Sequence, residues 1–297
     1  MSRAETTCRI CGGELAVAVA QPRSSYARAG DYRIDACASC GAGTTIPWPS
    51  DAELARCYES TYGYGAHDLI EDEKRRRSAW LLAWSGVRSG RVLDVGCMFG
   101  FLLDEAARAG LATHGIELSP GPAAAAAERG HDVFVGTIEA FAAAHRELRF
   151  DAIFAQHVLE HIADPRAFLA TARALLQPHG KLVVCVPNFE ARLRRLAPSA
   201  WGWYQVPVHL HHYSSRALAR LLGDAGFAVG EHRTRGGDSL FLVLSALQSI
   251  GMSPGGAAGN AQPGLARTAL RWFGAMTRPY HALGDDELAV IASPAHS

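Results

Sequence analysis

From Arg91 the chain alternates short apolar runs with stretches in which apolar residues recur every three or four positions. The runs predict strands near 91–95, 112–117, 132–136, 150–155 and 180–186. The spaced stretches predict helices near 100–109, 120–129, 138–147, 164–176 and 214–225. A strand near 227–233 and the segment "DELAVIAS" bring the strands to seven. Strand and helix in alternation predict an α/β fold with a doubly wound parallel sheet. Before Arg91 the pattern is different. Ser50 and Glu53 form a predicted capping box, after a stiff connector with proline on both sides of Trp48. The segment "YGYGAHDLIEDEKRRRSAWLLAWSGV" then reads as a helix whose acidic start and basic end suit its dipole, with Lys74 to Arg77 on a solvated face. Beyond the last paired strand, an apolar stretch and a Gly-rich linker lead into "LARTALRWFGAMTRPYHAL". This predicts a C-terminal helical cover, or a peripheral membrane contact through 265–283. The expected domains are 1–48, a helical linker 49–89, a sheet domain 90–235 with 285–294, and an insertion 236–284.

Composition narrows the partners. The formal net charge is zero, and residues 1–60 carry six arginines against seven acidic residues. The electrostatic footprint of a nucleic-acid binder is missing, so no nucleic-acid partner is expected. The start "MSRAETTCRI" has no apolar signal core, and no run reaches 18 apolar residues. An odd count of seven cysteines without such a signal predicts a reducing, cytoplasmic setting, with membrane association only through the tail.

Four of those cysteines are paired. Cys8 and Cys11 in "CRICGG", and Cys37 and Cys40 in "CASCGA", are C-x2-C turns followed by glycine. Two thiolates at this spacing grip one metal from a tight turn, and four make a closed tetrahedral site with no position for water. A structural zinc is expected, with iron or a site that has lost its metal as the alternatives.

The stretch "RVLDVGCMFG" ends the first long strand in an acid and a glycine turn, where an open α/β sheet binds a nucleotide. Glu117 ends the next strand and is placed to accept hydrogen bonds from ribose hydroxyls. The loop reads D-x-G-x-x-x-G rather than the G-x-G-x-x-G that seats a pyrophosphate. Asp94 is suited to an ammonium, so a cationic, phosphate-free cofactor fits better than a nicotinamide one. Gly96 serves the turn and Gly100 the close packing of the helix. Met98 stands where a middle glycine is common. It is expected at ordinary negative φ, leaning along the cofactor or over the cleft mouth. Positive φ there, or a side chain filling the cavity, would mark a damaged site.

"VLDVGCMFG", "GIELSP", "FDAIFAQHVLEHIADP" and "LLQPHGKLVVCVPN" resemble the successive motifs of class I S-adenosylmethionine-dependent methyltransferases, over roughly residues 90–235. The cysteine ribbon, proline-rich connector and "CYESTYGYG" resemble a bacterial subgroup that carries such a ribbon and often modifies sugars, glycolipids or secondary metabolites. The resemblance implies a seven-stranded Rossmann-like sheet, S-adenosylmethionine and methyl transfer. It implies cofactor contacts from Asp94, Gly96, Cys97, Gly100, Glu117, Leu118, Ile138, Gln156 and His157. A hydroxyl acceptor needs a base, and histidine is the natural one. "HLHHYS" resembles the H-x-x-Y/F-x-S region of ribbon-bearing sugar methyltransferases, which makes His209 the matched base position, with His212 a further candidate. A family acid just before that histidine is Val208 here. Trp201, Trp203, Tyr204 and Tyr213 are expected to wall the substrate. Glu160 and His161 fall where related quinone and phenol O-methyltransferases carry an acid–histidine pair, so His161 is a rival. The expected activity is O-methylation of a saccharide, glycolipid or related small metabolite. The alternatives are a phenol or quinone-precursor acceptor, a sugar carbon, or a zinc-ribbon scaffold whose methyltransferase fold no longer turns over.

Overall fold

Two cysteine knuckles open the chain, which continues through β1 (Leu15–Val19), β2 (Arg33–Cys37), β3 (Gly43–Ile46), α1 (Asp51–Thr61) and α2 (His67–Ser85). The alternating part is β4 (Arg91–Val95), α3 (Phe101–Arg108), β5 (Ala112–Glu117), α4 (Pro120–Glu128), β6 (Asp132–Val135), α5 (Ile138–Ala144), β7 (Phe150–Gln156), α6 (Pro165–Leu175) and β8 (Leu176–Pro187). It ends in α7 (Arg192–Leu196), β9 (His211–His212), α8 (Ser215–Asp224), β10 (Phe227–Arg235) and β11 (Glu287–Pro294). This computed structural model describes residues 6–22, 24, 26–27, 30–61, 67–196, 198, 201–236 and 284–295. The predicted cover over 236–284, and the membrane contact through 265–283 within it, lie outside the described residues but for 236 and 284. Among the described residues no helix is long and apolar enough to cross a membrane.

The chain divides into two compact units. The first comprises Met1–Glu71, Pro187–Leu218 and Thr234–Leu288. In it β1, β2, β3 and β9 form a four-stranded sheet in that order. The sequence pattern placed 187–218 with the large sheet. It belongs instead to the cysteine unit, because β9 pairs antiparallel with β3, His212 opposite Gly43 and His211 opposite Thr44. Gly43 is required there: a Cβ would lie 2.9 Å from both Ile34 and Phe189. The core of this unit joins Val19 and Ile34 to Phe189, Trp201, Trp203 and Tyr204. The capping box forms as expected, with Ser50 N–H donating to Glu53 Oε2 at 2.8 Å and Glu53 N–H to Ser50 Oγ at 3.3 Å.

The second unit, Asp72–Val186, Ala219–Arg233 and Ala289–Ser297, holds most of the seven-stranded sheet, ordered β10-β11-β8-β7-β4-β5-β6. β4 pairs in parallel with β5 on one side and β7 on the other. The strand order therefore reverses at β4, the position where open α/β sheets bind ligands beyond the strand C-termini. Val92, Leu102, Phe154 and Val183 centre the core, with Leu81 and Leu82 of α2 packed among them. The helix expected over 164–176 stops at Leu175, and β8 starts at Leu176 rather than near 180. Pro178 explains this, since it disfavours helical geometry at Gln177.

The run Lys74 to Arg77 is only partly the solvated face expected: Arg76 is exposed, while Lys74 and Arg75 are half-buried. Arg77 is buried, and Arg75 Nη1 donates to Asp104 Oδ2 at 2.8 Å. Asp104, on α3, also pairs with Arg129 and with His131 Nε2 at 2.8 Å. Burial pushes its carboxyl up, but the bonds from Arg129, His131 and Arg75 outweigh burial and hold it far below the usual carboxylate range. Asp104→Ala leaves the Arg75 and Arg129 guanidinium groups facing one another without their carboxylate. Its urea midpoint is expected to fall by the equivalent of about 2–3 kcal/mol, the arginines' partial exposure softening a buried-pair loss. An unchanged midpoint would show that the network does not stabilise α3.

Candidate active site and metal centre

The four cysteine sulfurs of the first unit lie within 4.8 Å of one another. Sγ of Cys8 is 3.6 Å from that of Cys40, and Sγ of Cys11 is 3.5 Å from that of Cys37. Zinc–sulfur bonds near 2.3 Å in a tetrahedron separate sulfurs by about 3.8 Å, so the set fits one metal. The knuckles supply the amides that thiolates need. Backbone N–H groups of Cys11 and Ile10 donate to Cys8, and those of Cys40 and Ser39 to Cys37. Burial still pushes the Cys8 thiol up to about 11, while at Cys37 the donors overcome burial and bring it to about 7. A divalent cation removes the cost of four adjacent thiolates, and four sulfurs leave no position for substrate. The cluster fits a structural zinc.

In the second unit, β4 and β5 deliver Asp94 and Glu117 side by side at the sheet's C-terminal edge. Gly96 and Cys97 amides both donate to Ile116 O, at 2.8 and 3.0 Å, which ties the loop to β5. Gly96 has φ +73, and a Cβ there would lie 2.7 Å from Val158 Cγ2. Gly100 has φ +78, and a Cβ would meet His131 and Ala126 at 3.0 and 3.2 Å, the close helix packing expected of it. Asp94 is buried, and nothing among the described residues hydrogen-bonds to its carboxylate. Burial first, and the Glu117 charge second, push its carboxyl up to about 8. Such a group calls for a cation, and the ammonium of S-adenosylmethionine is one. Glu117 accepts from the Met98 amide at 3.0 Å through Oε2 and from the Ser119 amide at 2.8 Å through Oε1. Each oxygen keeps a second acceptor direction for ribose hydroxyls.

Residue 98 overturns its expectation. Met98 has φ +48, in the left-handed region. The conformation aims its N–H at Glu117, a charge-assisted bond that offsets part of a strain of about 1–2 kcal/mol. Its sulfur accepts from Lys74 Nζ of α2 at 3.5 Å. The loop is strained, but Asp94, Gly96, Gly100 and Glu117 keep their arrangement, so positive φ does not by itself ruin the site. Met98→Gly is expected to raise thermal stability modestly, by about 1 kcal/mol or less, because loss of strain is opposed by greater unfolded-chain freedom. A lowered melting temperature would show that the methionine's packing outweighs its strain.

The other expected cofactor residues divide by accessibility. Leu118 is 65% exposed and open to a ligand. Ile138 is buried at the first position of α5, which Thr137 caps by accepting the Ala140 N–H at 3.2 Å. Cys97 is buried with its thiol against Gly115, and burial, then the charges of Asp94 and Glu117, push that thiol strongly up. Gln156 ends β7, and His157 follows at φ +53 with Nδ1 3.2 Å from Glu160 Oε1. His161 ends a short 3-10 turn, Leu159–His161.

Two of the three candidate bases sit in the first unit. His209 is buried, with Nδ1 2.8 Å from the Trp203 carbonyl. His212 lies on β9 with Nε2 3.1 Å from Thr45 Oγ1; burial first, then His211 and Arg194, lower it to about 3. At that value it is a poor base. The aromatic wall is also corrected. Trp201, Trp203, Tyr204 and Tyr213 are all buried, and Trp201 Nε1 donates to Asp286 Oδ1 at 3.0 Å. Trp201, Trp203 and Tyr204 build the unit's core rather than an open substrate surface, and Tyr213 O accepts the Phe189 N–H at 2.9 Å. Sequence reasoning missed Lys74 and Thr45, whose partners lie far along the chain and leave no local pattern.

A family model described as "Methyltransferase domain" matches residues 66–232. The ubiquinone biosynthesis O-methyltransferase of Aromatoleum aromaticum is 30% identical over 167 residues, 52% of this chain and 71% of that protein. The protein of that name from Actinobacillus pleuropneumoniae serotype 5b is 36% identical over 114 residues, 35% of this chain, and the chain spans only 48% of its length. A 1,6-didemethyltoxoflavin-N1-methyltransferase from Burkholderia thailandensis superposes with a TM-score of 0.51 at 16% identity, covering 90% of this chain and 96% of that one. A SAM-dependent methyltransferase from Archaeoglobus fulgidus superposes at 0.50 with 17% identity, covering 80% and 99%. At these identities the likeness is one of fold.

Proposed function

The chain belongs to this methyltransferase-domain family, and on that premise we propose that it is an S-adenosylmethionine-dependent O-methyltransferase of small molecules. The observation that carries the cofactor is the buried Asp94 carboxylate beside Glu117 at the end of β4. S-adenosylmethionine, when bound, supplies a methyl group already activated on its sulfonium. Asp94 would hold the ammonium, Glu117 the ribose hydroxyls, and Leu118 an apolar face. The protein's remaining tasks are alignment, exclusion of water and removal of the acceptor's proton. We assign that proton to His209. Its Nδ1 lies 2.8 Å from the Trp203 carbonyl, which can only accept, so Nδ1 carries the hydrogen of that bond.

For the acceptor we place a phenolic or quinone-precursor hydroxyl first. The names of the curated relatives support it, and the burial of Trp201, Trp203 and Tyr204 removes the open wall that would favour a saccharide. A saccharide or glycolipid hydroxyl is the second reading, supported by the cysteine ribbon and the "HLHHYS" segment, with 265–283 as the membrane-facing segment for a lipid-linked acceptor. The test incubates zinc-loaded protein and labelled S-adenosylmethionine with 3,4-dihydroxybenzoate or with nucleotide-linked hexoses, and follows label into product. Transfer to the catechol supports the first reading and transfer to the hexoses the second. Tight cofactor binding with no transfer to either would overturn both.

A further inference from the structure

The cysteine unit holds an open cavity of about 270 Å³ where α1 meets the connection between β1 and β2. Glu53, Arg56 and Cys57 line it from one face of α1, because residues three and four apart on a helix share a side. Tyr26, Asp31 and Tyr32 line it from the connection, and Pro207 joins them. Ser24 fixes that wall: its Oγ donates to Val206 O at 2.6 Å and accepts the Tyr26 N–H at 3.1 Å. The volume falls just short of the roughly 300 Å³ at which sites for drug-sized ligands begin, so the cavity suits one small ring or branched group.

Its charge selects the class of ligand. Glu53 is half-buried, and its Oε2 accepts the Ser50 N–H at 2.8 Å and the Ser50 hydroxyl at 2.6 Å. Its Oε1 accepts the Tyr32 hydroxyl at 3.2 Å and keeps a second acceptor direction. The bonds from Ser50, and then from Tyr32, hold Glu53 below the ordinary glutamate value, so it is ionised at neutral pH. Burial first, and the charge of Glu53 next, push the Tyr32 hydroxyl up to about 12, with Asp31 acting in the same direction. The phenol is therefore neutral and sits in a negative potential. Of the lining residues only Arg56 opposes this, one guanidinium against two carboxylates, and it is exposed and screened by solvent. An anion is repelled here, and a neutral ring would leave Glu53 without a counter-charge. An ammonium can donate N–H to Glu53 Oε1 and is drawn to the faces of tyrosine rings.

We propose that this cavity is a binding site for a small organic ammonium ion, with Glu53 as its counter-ion and Tyr26 and Tyr32 as its aromatic walls. Ala27 and Pro207 supply apolar contact for the hydrocarbon part. The site lies wholly within the first unit and does not depend on which hydroxyl is methylated.

The test titrates the full-length, zinc-loaded chain with cyclohexylammonium near neutral pH in an amine-free buffer. Cyclohexanol and cyclohexanecarboxylate serve as neutral and anionic rings of the same frame. The ammonium is expected to bind at about 1 mM, as suits so small a ligand, and the other two at least about 10-fold more weakly. Glu53→Gln keeps a side chain that the capping box accepts and removes the charge, so affinity should fall about 10-fold or more. Tyr26→Ala should lower it about 3- to 30-fold, the scale of a cation–π contact, and Tyr26→Phe should stay within about twofold of the parent. Alkylation of Cys57 by iodoacetamide, followed by mass spectrometry, locates the ligand. Cys57 lines the cavity, whereas Cys97 and Cys185 are buried and the other four cysteines hold zinc, so saturating cyclohexylammonium should slow the reaction at Cys57. Equal or tighter binding of cyclohexanol or of the carboxylate would overturn the ammonium site, as would no binding of any of the three. Ammonium binding that is unchanged in both Glu53→Gln and Tyr26→Ala, or that leaves Cys57 alkylation as fast as before, would overturn it too, because the ion then sits elsewhere.

Discussion

Cys40→Ser is expected to lose stoichiometric zinc and to unfold the cysteine unit. Structural zinc contributes about 10–16 kcal/mol to small ribbon-type folds at neutral pH, as much as or more than the whole stability of an ordinary domain. The first unit depends on it because the end of β2 and the start of β3 meet at the second knuckle: Cys37 N–H donates to Ala42 O at 2.8 Å, and Gly41 N–H to Cys37 O at 2.8 Å. The loss would spread. Ser214 Oγ donates to the Cys40 carbonyl at 2.7 Å and also accepts the Ala217 N–H at 3.0 Å, so the second knuckle is linked to β9 and to the start of α8. Zinc content by colorimetric chelation and far-UV circular dichroism measure the effect. Fluorescence of Trp48, whose ring lies 3.6 Å below the Arg9 guanidinium on the first knuckle, reports locally. Cys57→Ser is the control, outside the cluster and expected to change stability by no more than about 0.5 kcal/mol. A folded Cys40→Ser protein holding one zinc would refute the closed four-sulfur site.

Asp94→Asn is expected to weaken S-adenosylmethionine binding roughly 100- to 1000-fold, the loss that follows when a buried charge is deprived of its partner. The pH dependence gives a second signature. In the free protein burial and Glu117 hold the Asp94 carboxyl at about 8. The folded state keeps this proton over a range where the unfolded chain has lost it. This contribution to stability is therefore complete below the ordinary aspartate value of about 3.9 and is lost as pH rises through about 8. A bound ammonium favours the ionised form, so cofactor binding at pH 7 should release about one proton. Titrations in buffers of different ionisation enthalpy measure this, and affinity should rise with pH toward about 8. The side-chain amide of the Asp94→Asn variant carries no ionisable proton. The variant should therefore bind without that release, and without cofactor it should resist heat better than the parent at pH 9. Equal proton release by parent and variant would remove Asp94 from the ammonium site.

The elements of the large sheet were legible because their signals are local. The central strands β4, β7 and β8 carry continuous apolar runs, and the helices repeat an apolar face at their own period. The acid and glycines of the β4 loop, Glu117 at the end of β5 and the two C-x2-C turns each act within a few residues of themselves, so their types and spacing announced them. Met98 was legible as a departure but not in its backbone angle, because φ there answers to Glu117 on a neighbouring strand. The segment "WGWYQVPVHLHHYSS" was misread for a related reason. Its aromatic residues and histidines look the same whether they line a cleft or fill a core, and a two-residue strand is too short to declare a partner.

By itself, then, the sequence determined the alternating strands and helices of the large sheet, the cofactor loop and the zinc ligands, all properties of short-range periodicity and spacing. Only the tertiary structure decided that β9 closes the ribbon sheet, that Trp201 and Tyr204 are core, that Arg75 and Arg129 converge on Asp104, and that Thr45 meets His209 across 164 positions of chain. Those pairings depend on register and burial between distant segments, and a buried hydroxyl or imidazole shows its role only once the groups that complete its hydrogen bonds are in place.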